Sequence, residues 1–142
     1  EKSADKKGSR WGDAAAETDS ISVKIDKENI TIKQTIVSKT KMNNPIVGFR
    51  LRDAAGKEVL GTNTKLENIK IGHLEPMQRT ELTWRISNIL SDGRYTIDPA
   101  IIHDDGITTA DWWDAAATIT IKKEKRLPYA IDPGYSLEIK VL

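Results

Sequence analysis

The strongest constraint on this chain is a period of two in its side chains, repeated in run after run. Ile21, Val23 and Ile25 alternate with Ser22, Lys24 and Asp26, and Ile30, Ile32, Gln34 and Ile36 alternate with Thr31, Lys33 and Thr35. Val47, Phe49 and Leu51 alternate with Gly48, Arg50 and Arg52, and Leu82, Trp84 and Ile86 with Thr83, Arg85 and Ser87. Side chains of an extended strand point to opposite faces in turn, so each run is a strand with one apolar face. Three further runs carry the signal: Tyr95 and Ile97, then Ala117, Ile119 and Ile121, and last Leu137, Ile139 and Val141. Pro99 has no amide to donate to a ladder, which predicts an edge strand or a bulge there. Between the runs lie turn signals. Asp53-Ala54-Ala55-Gly56-Lys57 predicts a hairpin joining 46 to 52 with 58 to 63, and Ser91-Asp92-Gly93 is a second turn. Residues 65 to 78, interrupted by Gly72 and Pro76, read as an irregular connection. The alanine-rich stretch from Asp13 to Glu17 is one turn long, too short for a stable helix. Eight or nine short strands without an amphipathic helix predict an all-β fold, an antiparallel β-sandwich.

A length of 142 residues suits one domain and one core. Residues 1 to 10, polar and without an apolar period, read as a flexible linker remnant, leaving 11 to 142 as the domain. Lys plus Arg number 22 against 21 for Asp plus Glu, so no long-range field draws in nucleic acid or an anionic membrane. No stretch reaches the ~20 apolar residues that span a bilayer. The chain reads as soluble. The absence of cysteine removes disulfides, thiol nucleophiles and thiolate metal sites, and it fits a reducing compartment such as the cytoplasm.

The inventory of chemistry is thin. His73 and His103 are the two histidines, neither in a nucleophile context, and phosphate-binding glycine loops are missing. The chain therefore reads as a non-enzyme needing no cofactor. The densest polar cluster is His103-Asp104-Asp105-Gly106 followed by Asp111-Trp112-Trp113-Asp114. Three readings of it stand: a metal site, although the spacing fits neither a calcium loop nor a zinc helix; a glycosidase pair of Asp105 and Asp111; or a solvated loop whose aspartates bind backbone N–H groups. Trp112 and Trp113 are neighbours at a strand entry and point to opposite faces, so one stands near solvent. It serves either as a stacking surface for a sugar ring or as a lid on the end of the sandwich. Arg50, Arg52 and Arg85 are outward-facing cations that either blunt aggregation or, if their strands share a sheet, form a patch suited to hydroxyls and anionic groups. Tyr95 and Trp84 fall on apolar faces and read as core.

Several landmarks occur in order: Arg10-Trp11-Gly12, Val47-Gly48-Phe49-Arg50-Leu51-Arg52-Asp53 with Gly56, Leu60-Gly61-Thr62-Asn63-Thr64, Gly93-Arg94-Tyr95-Thr96-Ile97, and Asp111-Trp112-Trp113-Asp114-Ala115-Ala116. In this set the chain resembles the C-terminal carbohydrate-binding domain of the Wzt-type ATP-binding subunit of polysaccharide ABC transporters. The resemblance implies an immunoglobulin-like or jelly-roll sandwich that dimerises by exchanging a C-terminal strand, here 135 to 142. It implies recognition of a lipid-linked polysaccharide, O-antigen being the type, for export. It further implies an ATPase domain before residue 1, a membrane subunit as partner, and a place at the cytoplasmic face of the membrane. The family supplies no sugar-contact motif, so the candidate positions Arg50, Arg52, Asn63, Arg85, His103 and Trp112 follow from face alternation and side-chain chemistry. The rival expectation is a protein-interaction or dimerisation sandwich without a glycan ligand.

Overall fold

A computed structural model describes residues 9–142. Eleven strands form among them and no helix: β1 (Arg10–Trp11), β2 (Ala16–Ile25), β3 (Asn29–Ser38), β4 (Met42–Asn43), β5 (Ile46–Arg52), β6 (Glu58–Asn63), β7 (His73–Leu74), β8 (Arg79–Ser87), β9 (Gly93–Ile102), β10 (Thr109–Trp113) and β11 (Ala117–Ile121). Of the expected linker remnant, residues 1–8 lie outside the described residues, while Arg10 already belongs to β1. The stretch from Asp13 to Glu17 is not helical, and Ala16 opens β2.

Every ladder is antiparallel. One sheet has six strands in the order β1-β10-β9-β5-β6, with β11 also on β9; a second is β2-β3-β8, and β4 pairs with β7. The two larger sheets stack, because the inward members of each alternating run are apolar and leave water together. Ile30 and Ile32 of β3 pack in one cluster with Phe49, Leu51, Tyr95, Ile97, Ile119 and Ile121 of the other sheet. Ala16, Ile36, Val47 and Ile101 anchor a second cluster. Fully burying each such aliphatic side chain is worth roughly 1.5–3 kcal/mol, and this is what selects the sandwich over separate hairpins. Trp84 meets Phe49 edge-on across the core at 5.3 Å. Gln34, a polar member of the inward row of β3, is fully buried and satisfied: it accepts from Trp84 Nε1 at 3.1 Å and donates to the Gly48 carbonyl at 3.3 Å.

One expectation is corrected. Pro99 lies in β9, which is central, with β5 on one flank and β10 and β11 on the other. It is tolerated because the second flank changes partner there: Ile97 pairs with Ala117 of β11 and Ala100 with Trp112 of β10, so the ladder is interrupted where the proline sits. The strand expected over 135–142 does not form within the chain. Leu137, Ile139 and Val141 are 83%, 82% and 93% exposed, since beyond Pro133-Gly134 the backbone runs clear of both sheets and an alternating segment without a neighbouring edge has no ladder to join. The segment before it is held. Leu90 and Ile131 form an isolated bridge, and the Lys123 ammonium donates to the carbonyls of Asn88 and Asp132.

Candidate functional site

The outer face of the six-stranded sheet is where aromatic and charged side chains converge, and the register shows how. One row across the sheet reads Trp11, Trp112, Ala100, Gly48, Asn63; the next reads Asp98, Arg50, Gly61; the third reads Thr118, Thr96, Arg52, Glu58. Trp11 and Trp112 are cross-strand partners whose rings stack at 6.0 Å between centroids and 16° between planes. Trp11 is 57% exposed, a large apolar ring left open to solvent. The Arg50 guanidinium carbon lies 5.1 Å from the Trp112 ring centroid, within cation–π reach, and Trp112 Nε1 donates to Asp114 Oδ1 at 2.8 Å.

Asp98 organises the centre of this face. Its side chain is buried, and its carboxylate accepts from Arg50 Nε at 2.6 Å, from Arg52 Nε at 2.7 Å and Nη2 at 2.9 Å, and from the Ala115 N–H at 2.6 Å. Burial alone pushes this carboxyl up, but the bonds from Arg52, Ala115 and Arg50 outweigh it and hold the group below the ordinary carboxylate range. Arg50 also donates through Nη1 to Glu58, and its Nη2 is 3.5 Å from Asp114 Oδ1. The bond to Asp98 also holds Ala115 in the left-handed region, at φ 55°, where the chain turns from β10 into β11.

The opposite faces of β1 and β10 hold the platform in place. Arg10 pairs in register with Trp113, with its guanidinium carbon 4.1 Å from the indole centroid. Arg10 donates through Nε and Nη2 to both oxygens of Asp111 at 2.9 and 2.8 Å, and Nη2 also reaches the Thr18 carbonyl; the Thr18 N–H returns a bond to Asp111 at 2.8 Å. Burial lowers the Arg10 pKa, and the hydrogen bonds and charge of Asp111 more than reverse this, leaving it raised. Gly12, at φ 134°, lets the chain lie directly on β10: a Cβ there would stand 2.3 Å from the Ala110 carbonyl oxygen. The Arg10-Trp11-Gly12 triplet thus works as a clamp that sets Trp11 against Trp112.

Of the six candidate positions, Arg50, Arg52, Asn63 and Trp112 share this face. Asn63 Oδ1 is occupied by the Leu66 N–H at 2.8 Å, in the turn after β6. Arg85 does not join them. It belongs to β8 of the other sheet, paired with Thr31, and is directed to the far side of the sandwich, so the condition for a three-arginine patch is not met. His103 lies past the end of β9, with Nε2 2.8 Å from Asp13 Oδ2. Trp11, Asp98, Asp114 and Glu58 were missed as site residues. The available signals were an acid amid the polar positions of an alternating strand for Asp98 and a tryptophan abutting the polar lead-in for Trp11.

Two acids of the His103–Asp114 cluster are engaged within the fold. Asp105 is consumed by its own turn: bonds from the Thr108 hydroxyl, the Thr108 N–H and the Ile107 N–H hold it down to about 2. Asp111 is buried and accepts from Arg10 and from the Thr18 N–H. Among the described residues no three His, Asp or Glu side chains are grouped as ligands for a metal ion. No described helix is long and apolar enough to cross a membrane.

The fold and this face define a class: an antiparallel β-sandwich module whose distinctive surface is an indole pair set beside a closed arginine–carboxylate network. The Wzt C-terminal domain family matches residues 10–131, and the chain belongs to that family, the domain associated with Wzt-type ABC transporter subunits. Among solved structures it is similar to the crystal structure of the C-terminal domain of wzt, with a TM-score of 0.81 at 15% identity over 92% of this chain and 87% of that one. It also resembles part of a β-glucuronidase of glycoside hydrolase family 2, with a TM-score of 0.53 at 14% identity over 70% of this chain but 12% of that one. At such identities these likenesses concern the fold. Comparison with curated protein sequences finds no match.

Proposed function

We propose that this domain is a non-catalytic carbohydrate-binding module that recognises a lipid-linked polysaccharide, of the O-antigen kind, for export by its ABC transporter. The observation that carries the reading is the Trp11–Trp112 pair beside Arg50 on one open sheet face. Sugar rings present axial C–H groups that pack on indole faces, while their hydroxyls bond to neighbouring charged groups. Family membership supports the same assignment. In this reading the module works at the cytoplasmic side of the membrane, with an ATPase domain and a membrane subunit as its partners. Affinity is weak, roughly micromolar to millimolar, because one open face covers little of the ligand.

The test is titration with polysaccharide extracted from the cells that carry this chain, read by tryptophan fluorescence and amide NMR shifts. Quenching, with shifts confined to β1, β5, β9 and β10, is the expected result, and Trp112→Ala weakens binding by about tenfold, because Trp11 loses the ring it stacks on. Unchanged spectra at saturating glycan would refute the assignment.

A second copy of this chain is the proposed partner of residues 135–142, whose exposed Leu137, Ile139, Val141 and Leu142 favour homodimerisation by strand exchange. Removing 135–142 is expected to give a folded monomer by sedimentation; a truncated chain that stays dimeric would rule exchange out.

A further inference from the structure

Most of the charged groups at the centre of the platform are engaged with one another. Arg50 directs Nε to Asp98, Nη1 to Glu58 and Nη2 toward Asp114, while Arg52 gives Nε and Nη2 to Asp98. The Trp112 N–H is likewise given to Asp114. Two cations, Arg50 and Arg52, therefore stand against three carboxylates, Glu58, Asp98 and Asp114, which leaves the cluster with one net negative charge. Adding Arg94, which follows Arg52 and Thr96 along this face opposite Thr120, brings the sum only to zero.

We propose that this face selects uncharged sugar residues and rejects glycan units carrying a carboxylate or phosphate at the indole platform. The inference rests on the glycan reading above and names the ligand class for that same site. An incoming anion at Arg50 competes with Asp98 and Glu58 for Nε and Nη1, and at Arg52 it meets a guanidinium already held through Nε and Nη2 by Asp98, whose buried carboxylate would lose stabilisation if the cation were drawn away. It would also approach Glu58 and Asp114, the more exposed acids of the cluster. A neutral ring meets no such barrier. Its hydroxyls donate to the outward oxygens of Glu58 and Asp114, and its C–H face lies on the exposed ring of Trp11, which Trp112 backs. The arginines are thus positioning residues for the acceptors and for Trp112, and not anion receptors.

The experiment compares three forms of the extracted polysaccharide by fluorescence titration: native, carboxyl-reduced, and oxidised at C6 to the uronate. The carboxyl-reduced form is expected to bind about tenfold more tightly than the C6-oxidised form, as one like charge within several ångströms dictates at a partly screened surface. Glu58→Gln, a change at an exposed side chain that leaves the Arg50–Asp98 bond in place, narrows that ratio about threefold by removing one repelling charge. Equal or tighter binding of the oxidised form overturns the selectivity while leaving the glycan reading intact, and so does a ratio that Glu58→Gln does not move. Failure of all three forms to bind overturns both.

Discussion

The two outer faces of the sandwich arise from the same alternation and differ in what they assemble. On the three-stranded sheet the outward rows read Lys24, Thr31, Arg85; Ser22, Lys33, Thr83; and Ser20, Thr35, Glu81. These are short hydroxyls, separate cations and one acid, Glu81, and among the described residues Arg85 makes no ion pair. On the six-stranded sheet the outward rows place two tryptophans side by side and gather two arginines around one buried aspartate. An arginine at an outward position is ordinary surface on one side and part of a cross-linked platform on the other. Whether a polar row becomes a site depends on which strands become neighbours, a property of topology and not of any single strand.

Substitutions at matched positions should break or sharpen this contrast. The largest effect is expected from Asp98→Ala, which strands Arg50 and Arg52 and leaves the Ala115 N–H unpaired; chemical denaturation should show a loss of about 2–3 kcal/mol. A stability change below about 0.5 kcal/mol would mean that the network is no firmer than the opposite face. A titration addresses the same aspartate. Its folded-state pKa is depressed below the ordinary 3.8, so its contribution is fully present above that value and lost as pH falls through the lower folded value. Acid unfolding of wild type should therefore steepen below pH 3.8, and Asp98→Asn should remove that part of the slope. A smaller change of opposite sign is expected at Ala115, held at φ 55° by its bond to Asp98. Ala115→Gly relieves the left-handed strain, offset by the freedom glycine gains when unfolded, and should stabilise by about 0.5 kcal/mol in thermal or chemical melts. The smallest effect belongs to Arg85→Ala, expected to shift stability by less than about 0.5 kcal/mol and to leave glycan titrations unchanged. Weakened glycan binding in that variant would move the site to the other sheet.

Much of the fold was legible because burial on one side of a strand writes itself into adjacent residues. The runs at 21–25, 30–36, 46–52, 58–63, 82–87, 95–101 and 117–121 all lie in strands, and Asp53–Lys57 closes its hairpin, with the Gly56 N–H bonded to the Asp53 carbonyl at 2.9 Å. Pro99 misled because its position was judged from one strand alone, whereas the break that accommodates it is supplied by β10 and β11. Residues 135–142 find no edge within their own chain, since alternation records a capacity to pair without naming the partner strand. The site was half legible. That one of Trp112 and Trp113 stands on the outer face was legible because the two cannot face the same way, while Trp11 gained its place only from a partner a hundred positions along the chain.

From its sequence alone, this protein was fixed as an all-β sandwich with Trp112, Arg50 and Arg52 on outward positions, because the face of a strand on which a side chain stands is set by odd or even numbering. Tertiary structure decided that β5, β9, β10 and β1 lie side by side while β8 lies across the core. That choice separates Arg85 from the other arginines and closes Asp98 between two of them. Pairing between distant strands is governed by the summed burial of whole sheets and by long-range register, to which no local run of residues has access.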